Sequence, residues 1–284
     1  MARQSKLVSV SEAAAEVRDG MSVGIGGWIF HSQPMALVRE IVRRRVRNLT
    51  LIPAPGSIAP DMLIGAGCVA TTYCIFISFE QFGLAPCFRR AAESGAIKVL
   101  EFDGPGIAGA LRAAACDLPF MLVPDLGTDL PKVNPESYRP VERVPGERPM
   151  LLVPALYPDV VLLHAQQADE AGNVQYTGAP FFDRMLGQAA RKVIVSVDRI
   201  VDTATIRAAS QQTLLPSCFI HAVVETPMGA HPSASADLYG VDEAHLALYA
   251  KAGSTADGMK GYLDVHVFGS TEDEYLRRAR GGRP

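Results

Sequence analysis

A glycine-rich turn is the first stretch of the chain whose residue types suggest chemistry. The segment VGIGGWIFHSQP places Gly24, Gly26 and Gly27 after an apolar run and shortly before Pro34, where a helix can begin. Because glycine has no Cβ, backbone N–H groups in such a turn can approach a ligand closely. N–H groups near a helix start suit a developing oxyanion or a thioester carbonyl. The structural alternative is an ordinary tight turn.

The turn does not match the common nucleotide-binding loops. A dinucleotide fingerprint requires G-x-G-x-x-G, but Ile29 stands where the third glycine should be. The next predicted strand ends in Pro53-Ala54-Pro55, which offers no carboxylate for a ribose hydroxyl. The chain also lacks the G-K-[ST] of a P-loop. A backbone-lined pocket of another kind is therefore favoured.

Two carboxylates stand at the ends of predicted strands. Glu101 follows the apolar run 97–100, and Glu80 follows the run 71–78. Open α/β sheets bind ligands beyond the carboxyl ends of their strands, so Glu101 is a candidate for direct catalysis. The alternatives are a surface or interface acid for Glu101 and a helix-start carboxylate for Glu80.

Other side chains are candidates for binding. Ser78 could hydrogen-bond a substrate carboxylate, although a serine at a strand end more often bonds nearby backbone. Arg89 and Arg90 could meet phosphates, or form a solvated face. His31 beside the turn is more often a solvated side chain, and His231 a structural or interfacial one. The six histidines show no H-x-x-x-H or H-E-x-x-H spacing, so no metal site is predicted.

The elements that must position these residues alternate between strands and helices. Ser9-x-x-Glu12 and Thr271-x-x-Glu274 have the form of capping boxes. We expect strands at 21–25, 49–53, 71–78, 97–102, 150–156, 160–164, 192–197 and 219–224, and helices at 13–17, after Pro34, and at 85–94, 107–116, 242–252 and 271–278. This order predicts an α/β fold whose open, mostly parallel sheet is covered by helices. We expect one large domain over residues 1–284, with a Pro-rich surface excursion at 131–149 and a short C-terminal helix.

Composition excludes several classes of protein. The 284 residues are 48% hydrophobic and carry a formal net charge of -3 without a long charged block, so no nucleic-acid partner is expected. No segment approaches the roughly 18 apolar residues of a membrane span, and the N-terminus lacks a signal-peptide core, so we expect a cytoplasmic protein without a membrane partner. The five cysteines include no C-x-x-C, which indicates buried thiols in a reducing compartment.

An ordered series of motifs resembles the A (alpha) subunit of family I CoA-transferases, in particular the glutaconate CoA-transferase branch. The resemblance runs from about the first helix to about residue 253 and rests on these motifs: Gly24-Ile25-Gly26-Gly27-Trp28 followed by Pro34, Ser78-Phe79-Glu80-x-x-Gly83-x-Ala85-Pro86-x-Phe88-Arg89-Arg90, Glu101, Gly127-Thr128-Asp129, Tyr176-Thr177-Gly178 and Gly229-Ala230-His231-Pro232. It implies the CoA-transferase fold, and an acyl-CoA loop formed by Gly24, Gly26, Gly27 and Trp28. It also suggests Gln33, Ser78, Phe79 and Glu80 as substrate-binding residues.

The resemblance further implies a covalent mechanism and a partner. In this family a glutamate attacks an acyl-CoA thioester, giving an acyl anhydride and then a glutamyl-CoA thioester. That glutamate usually belongs to a homologous B (beta) subunit, in a turn after an early strand. The comparable turn here, Pro53-Ala54-Pro55-Gly56, has no glutamate. The implied protein is thus the alpha subunit of a hetero-oligomer, with coenzyme A as a substrate, acyl-CoA and carboxylic acids as ligands, and no permanently bound cofactor.

Two other interpretations stay open. A second branch of the family opens a ring hydrolytically in CoA-linked steroid degradation intermediates, and Trp28 after the glycines resembles it. In that branch a glutamate of the alpha subunit is the catalytic group, which implies this role for Glu101. The third interpretation is a sugar-phosphate isomerase or ligand-binding module on the related open α/β fold, which lacks the Tyr176-Thr177-Gly178 and Gly229-Ala230-His231-Pro232 motifs.

Overall fold

The computed structural model describes residues 5–142 and 145–281. Its strands are β1 Ser22–Ile25, β2 Leu49–Pro53, β3 Val69–Cys74, β4 Lys98–Glu101, β5 Phe120–Pro124, β6 Arg139–Pro140, β7 Met150–Pro154, β8 Val160–Ala168, β9 Val174–Gln175, β10 Lys192–Ile200, β11 Thr213–Leu215 and β12 Ala222–Glu225. Its helices are α1 Val10–Ala14, α2 Met35–Arg43, α3 Ile58–Gly65, α4 Pro86–Glu93, α5 Gly104–Ala115, α6 Leu130–Val133, α7 Asp183–Ala189, α8 Thr203–Ala208, α9 Glu243–Gly253, α10 Ala256–Leu263 and α11 Glu272–Ala279.

The main sheet contains seven parallel strands in the order β12-β10-β8-β1-β2-β3-β4, and the short strands β9 and β11 extend it from β8 by antiparallel pairing. Alternate residues of β8 face opposite layers of helices, with Val160 and Leu162 in one apolar cluster and Val161 and Leu163 in the other. Burial on both faces explains the nearly continuous apolar strands of the sequence. The predicted open, mostly parallel sheet covered by helices is therefore confirmed.

A second sheet, antiparallel and in the order β5-β7-β6, is absent from the sequence prediction. The run 150–156 is a strand, as predicted, but it pairs with β5 and β6 rather than with the parallel sheet. β6 lies inside the Pro-rich interval, and Tyr138 beside it is fully buried. Most of the other described residues of the interval are exposed, so it is a largely exposed segment that contributes one short strand to this sheet.

The predicted helices form, with bounds that differ from the predictions by one to three residues. Both capping boxes form, at Ser9 with Glu12 and at Thr271 with Glu274. α1, however, begins at Val10 and ends at Ala14, ahead of the expected span of 13–17. The Ser9 cap fixes where the first turn begins, which is why α1 starts ahead of the expected span.

The cysteines only partly follow the sequence prediction. Cys68 and Cys87 are buried and Cys74 is half-buried, but Cys116 and Cys218 are exposed, which corrects the expectation of uniformly buried thiols. Within the described residues, no helix has the length and apolar character needed to cross a bilayer.

Candidate active site at the carboxyl ends of the parallel strands

The glycine turn lies where the strand order of the main sheet reverses. From β1 the sheet continues to β2, β3 and β4, and from the adjacent β8 it continues in the other direction to β10 and β12. The carboxyl ends of two such strands diverge and leave a crevice, which is the usual ligand site of open α/β sheets. The turn directly follows β1, so it forms one wall of this crevice.

The backbone N–H groups of the turn are already hydrogen-bonded within the chain. Four successive groups donate as follows: Gly26 to the Leu162 carbonyl (3.0 Å), Gly27 to Asp183 Oδ1 (2.7 Å), Trp28 to the His31 carbonyl (2.9 Å) and Ile29 to the Pro55 carbonyl (2.9 Å). An oxyanion hole requires donors aimed at the ligand. The expectation that these N–H groups would hold an oxyanion is therefore wrong for this structure.

Asp183 is the side chain that fixes the turn from behind. It is the first residue of α7 and is buried, and burial raises its pKa to about 6. Its Oδ1 accepts from Gly27, while its Oδ2 has no hydrogen-bond partner. A Cβ on Gly26 would lie 2.2 Å from Asp183 Oδ1, so only glycine fits there. Sequence reasoning missed Asp183 because nothing in the sequence pairs it with a turn 156 residues away.

Gln33 is also behind the turn rather than in the crevice. It is fully buried, and its Nε2 donates to the Gly26 carbonyl at 3.3 Å. Its Oε1 has no partner. Because the Gln33 side chain does not reach the surface, it does not make the predicted contact with substrate. It supports the glycine turn instead.

Aromatic rings cover the outer side of the turn. Trp28 is 36% exposed and meets the ring of Phe181 edge-on at a centroid distance of 4.3 Å. Phe181 is 46% exposed and in turn contacts Phe182 at 4.4 Å. The segment Phe181-Phe182-Asp183 thus contacts the turn twice. The Phe181 ring packs against Trp28, and the Asp183 carboxylate accepts from the Gly27 N–H. The exposed rings form an apolar wall beside the crevice.

The loops after β1, β2 and β3 are joined by backbone hydrogen bonds into a continuous rim. Beyond the bond from Ile29 to Pro55, Gly56 N donates to the Phe76 carbonyl at 3.1 Å and Ser78 N donates to the Gly56 carbonyl at 3.1 Å. The turn 53–56 carries no carboxylate, as the sequence indicated. The rim therefore presents backbone and apolar side chains near the point where the strand order reverses.

The candidates on the loop after β3 differ in outcome. Ser78 Oγ accepts from the Glu80 N–H at 3.1 Å, so its alternative interpretation as a local backbone partner is observed. Glu80 is exposed. Phe79 is fully buried and stacks on Tyr249 at a centroid distance of 5.5 Å. Its assignment as a substrate-binding residue is therefore wrong, because it belongs to the apolar core.

Glu101 is the last residue of β4, the strand that ends this side of the sheet, and its side chain is exposed. It lies opposite Cys74 in the β3–β4 register, and its carbonyl accepts from Asn134 Nδ2 at 3.2 Å. Three strand spacings separate β4 from β1, which corresponds to roughly 14 Å. The structure thus places Glu101 on the same edge as the glycine turn but not in contact with it.

A Ser–His–Asp set on β8 and β10 is not an active site. His164 Nδ1 lies 2.9 Å from Ser196 Oγ, and His164 Nε2 lies 3.0 Å from Asp198 Oδ2. All three residues are buried, and Asp198 also accepts from Ser235 Oγ at 2.6 Å. Because substrate cannot reach it, the set serves as a buried polar network that holds the loop after β12.

Comparison with known proteins identifies the family of the chain. The family model described as Coenzyme A transferase matches residues 7–226. The chain is 35% identical over 287 residues to the cholesterol ring-cleaving hydrolase IpdA subunit of Rhodococcus jostii, covering 97% of this chain and 96% of the relative. It is 30% identical over 294 residues to the A subunit of glutaconate CoA-transferase from Acidaminococcus fermentans, covering 96% and 92%. It is also 35% identical over 284 residues to an uncharacterised protein of Archaeoglobus fulgidus. That match covers 98% of this chain but 63% of the relative, so the chain spans less than two thirds of that protein's length.

Solved structures agree with the sequence comparison. The glutaconate CoA-transferase of Acidaminococcus fermentans superposes with a TM-score of 0.91 at 29% identity, covering 98% of this chain and 93% of that one. A variant of the decarboxylase AibA/AibB superposes with a TM-score of 0.81 at 33% identity, covering 92% and 100%. The resemblance seen in the motifs is thereby confirmed. The chain belongs to the coenzyme A transferase family.

Proposed function

We propose that the chain is the alpha subunit of a two-subunit enzyme that transfers CoA between an acyl-CoA and a carboxylic acid, as in the glutaconate branch. The observation that carries this proposal is the chemistry of the crevice. The turn after β2 has no carboxylate, and the carboxylate that contacts the glycine turn, Asp183, is buried and bonded to Gly27. A glutamate nucleophile must then come from a homologous B subunit, as the family mechanism implies.

In this proposal the chain supplies a shaped wall rather than the reacting group. The partner's glutamate attacks the thioester carbonyl and expels CoA thiolate, which leaves an acyl anhydride on the enzyme. The thiolate then attacks the glutamyl carbonyl and releases the first carboxylic acid, and the acceptor acid enters last. The turn from Gly24 to Trp28 lines the acyl-CoA, and its tight fixation by Asp183 keeps the thioester position constant. CoA is a substrate, and we expect no permanently bound cofactor.

A ring-opening hydrolase is the second candidate, and Glu101 favours it. Glu101 is an exposed carboxylate at the carboxyl end of a parallel strand, placed within this chain. The relative of Rhodococcus jostii bears the name of a ring-cleaving hydrolase. In this alternative Glu101 acts as a general base on water or on the substrate.

Replacement of Glu101 separates the two candidates. The chain is co-expressed with a homologous B subunit, and the complex is assayed for CoA exchange between acetyl-CoA and small dicarboxylates. For a transferase, Glu101→Gln lowers turnover only modestly, and borohydride or hydroxylamine traps a glutamyl-CoA thioester on the partner only. Glu93→Gln is the matched control, because Glu93 is an exposed carboxylate at the end of α4 and is not one of the candidate site residues.

The opposite outcome would favour the hydrolase. Loss of about a hundred to ten thousandfold in Glu101→Gln is the range expected for removal of a general base. If this loss occurs without any trapped thioester, while Glu93→Gln keeps its activity, the transferase proposal is abandoned. Exchange activity of the isolated chain at stoichiometric purity would contradict the need for a partner nucleophile.

A further inference from the structure

Two histidines and an aspartate meet near the C-terminal helices, away from the glycine turn in sequence. His231 lies in the loop after β12, Asp242 is the N-cap of α9, and His245 lies in its first turn. One ligand-type atom from each residue lies within 4.8 Å of the others, and His231 Nε2 is 3.0 Å from Asp242 Oδ2. From this arrangement we propose a binding site for one divalent transition-metal ion of the zinc type, held by His231, Asp242 and His245.

Buried tyrosines orient both imidazoles. Tyr275 OH lies 2.9 Å from His231 Nδ1, and Tyr262 OH lies 2.7 Å from His245 Nε2. The other nitrogen of His231, Nε2, is bonded to Asp242 Oδ2, and a metal ion between these two atoms would replace the shared proton. On His245, Nδ1 is the nitrogen that the bond to Tyr262 leaves for the ion. Metal-binding histidines commonly have their second nitrogen fixed in this way. The Asp242 carboxylate is also fixed, because its Oδ1 accepts from the His245 N–H at 2.9 Å.

The site also has access to solvent. His231 and Asp242 line a surface cavity of about 650 Å³ that reaches Met228, Tyr239 and Arg280. Two imidazoles and one carboxylate give three protein ligands, which leaves a position for water on the cavity side. This ligand set suits zinc or cobalt rather than the oxygen-rich coordination that magnesium and calcium prefer.

Local charges are compatible with a bound cation. Arg39 is close, since its Nη1 donates to the His231 carbonyl at 2.8 Å, but its guanidinium is paired with the Glu272 carboxylate.

A cobalt titration of the full-length chain tests the site. The chain is purified with a chelator and titrated with Co²⁺, whose visible absorption reports its coordination. We expect saturation at one ion per chain, and a rise in melting temperature when Zn²⁺ is added. His245→Gln and Asp242→Asn should each weaken binding at least tenfold, and Tyr262→Phe should weaken it roughly ten- to a hundredfold. His221→Gln, at a surface histidine, should leave binding unchanged.

Two results would overturn the proposal. One is the absence of saturable Co²⁺ binding by the wild-type chain, which would leave the cluster as a hydrogen-bonding network. The other is binding of unchanged affinity in both His245→Gln and Asp242→Asn. If His245→Gln fails to fold by circular dichroism, Asp242→Asn decides alone, because asparagine keeps the cap of α9.

Discussion

At the scale of single residues, the contact between Gly27 and Asp183 governs the candidate site. Burial removes water from the Asp183 carboxylate, which is why its pKa is raised in spite of the hydrogen bond from Gly27. The same bond holds Gly27 at φ +91, a conformation that glycine adopts at little cost. The shape of the turn therefore depends on a glycine and an aspartate that are remote in sequence.

Substitution of Gly27 should affect both stability and turnover. A Cβ there would lie 2.7 Å from the carbonyl oxygens of His31 and Ser32, in addition to the unfavourable φ. We expect Gly27→Ala to lower the free energy of unfolding by about 2–4 kcal/mol, and to lower the turnover of the assembled enzyme by roughly a hundredfold because the turn that lines the acyl-CoA is displaced. Gly146→Ala is the control, because its φ is +88 but nothing lies within 4 Å of its Cβ. Equal destabilisation by the two changes would show that the crowding is harmless. Urea unfolding and steady-state turnover measure the effects.

The raised pKa of Asp183 predicts a pH dependence of stability. Its carboxyl ionises near 3.8 in the unfolded chain and near 6 in the folded one, so the folded state binds more protons between these values. The stabilisation is fully present below about pH 4 and is lost as pH rises through 6, by on the order of 3 kcal/mol. The free energy of unfolding in urea, measured as a function of pH, should therefore fall less between about pH 4 and pH 7 in Asp183→Asn than in the wild type.

Substitutions of two other aspartates serve as controls for this measurement. Asp61 is buried and has its pKa raised to about 6 by burial, so Asp61→Asn should remove a separate part of the same decline. The pKa of Asp159 is lowered by its bonds to Ser22, so Asp159→Asn should instead reduce the loss of stability at acid pH. A decline that is unchanged in Asp183→Asn would contradict the assignment.

At the scale of elements, α11 is attached to α2 by a buried ion pair. Arg39 on α2 is fully buried, and its Nε donates to Glu272 Oε2 at 2.9 Å. Arg43 also donates to Glu272 at 3.2 Å, and the Arg39 guanidinium lies 3.9 Å from the ring centroid of Tyr275. Removal of one partner from such a pair leaves a buried charge without compensation. The docking of the C-terminal helix therefore depends on Glu272.

Loss of this ion pair should cost far more than loss of a surface pair. We expect Glu272→Gln to lower the free energy of unfolding by about 3–5 kcal/mol. Glu93→Gln is the control, because Glu93 pairs with Arg89 at 2.8 Å with both side chains mostly exposed, and such a pair contributes at most about 1 kcal/mol. Similar unfolding midpoints for the two variants in urea would contradict the proposed anchoring role.

At the scale of the whole molecule, exposed apolar side chains on the rim indicate a surface that another molecule covers. Leu84 is 63% exposed beside Ser78, and Phe76 and Phe181 are 43% and 46% exposed. They belong to the edge of the sheet that holds the glycine turn and Glu101. Apolar exposure at a crevice is typical of a surface that contacts a partner or ligand.

A charged residue placed in this apolar surface should weaken the binding of the proposed B subunit. We expect the isolated chain to be inactive and partly insoluble, and Leu84→Asp to lower the yield of co-purified B subunit by tenfold or more. Val265→Asp is the matched control, since Val265 is 52% exposed on the C-terminal segment. Pull-down yield and size-exclusion chromatography provide the measurement. If both variants co-purify like the wild type, Leu84 lies outside the interface.

Features that depend on near neighbours along the chain could be predicted from the sequence alone. Capping boxes form at Ser9 and Thr271, and the strand 49–53 has the predicted bounds, because caps and apolar runs act over a few residues. The motif series also indicated the family and the absence of a glutamate at 53–56. α3 escaped prediction because it is apolar on nearly all sides and so has no helical periodicity to detect.

Features that depend on remote contacts required the folded chain. Folding pairs β7 with β5 rather than with the parallel sheet, buries Phe79 against Tyr249, and gives the Gly27 N–H to Asp183. It also brings His231 to Asp242 and His245. The physical reason is the same in each case: strand partners, core contacts and buried hydrogen bonds are selected by the packing of the entire chain, which local residue patterns do not encode.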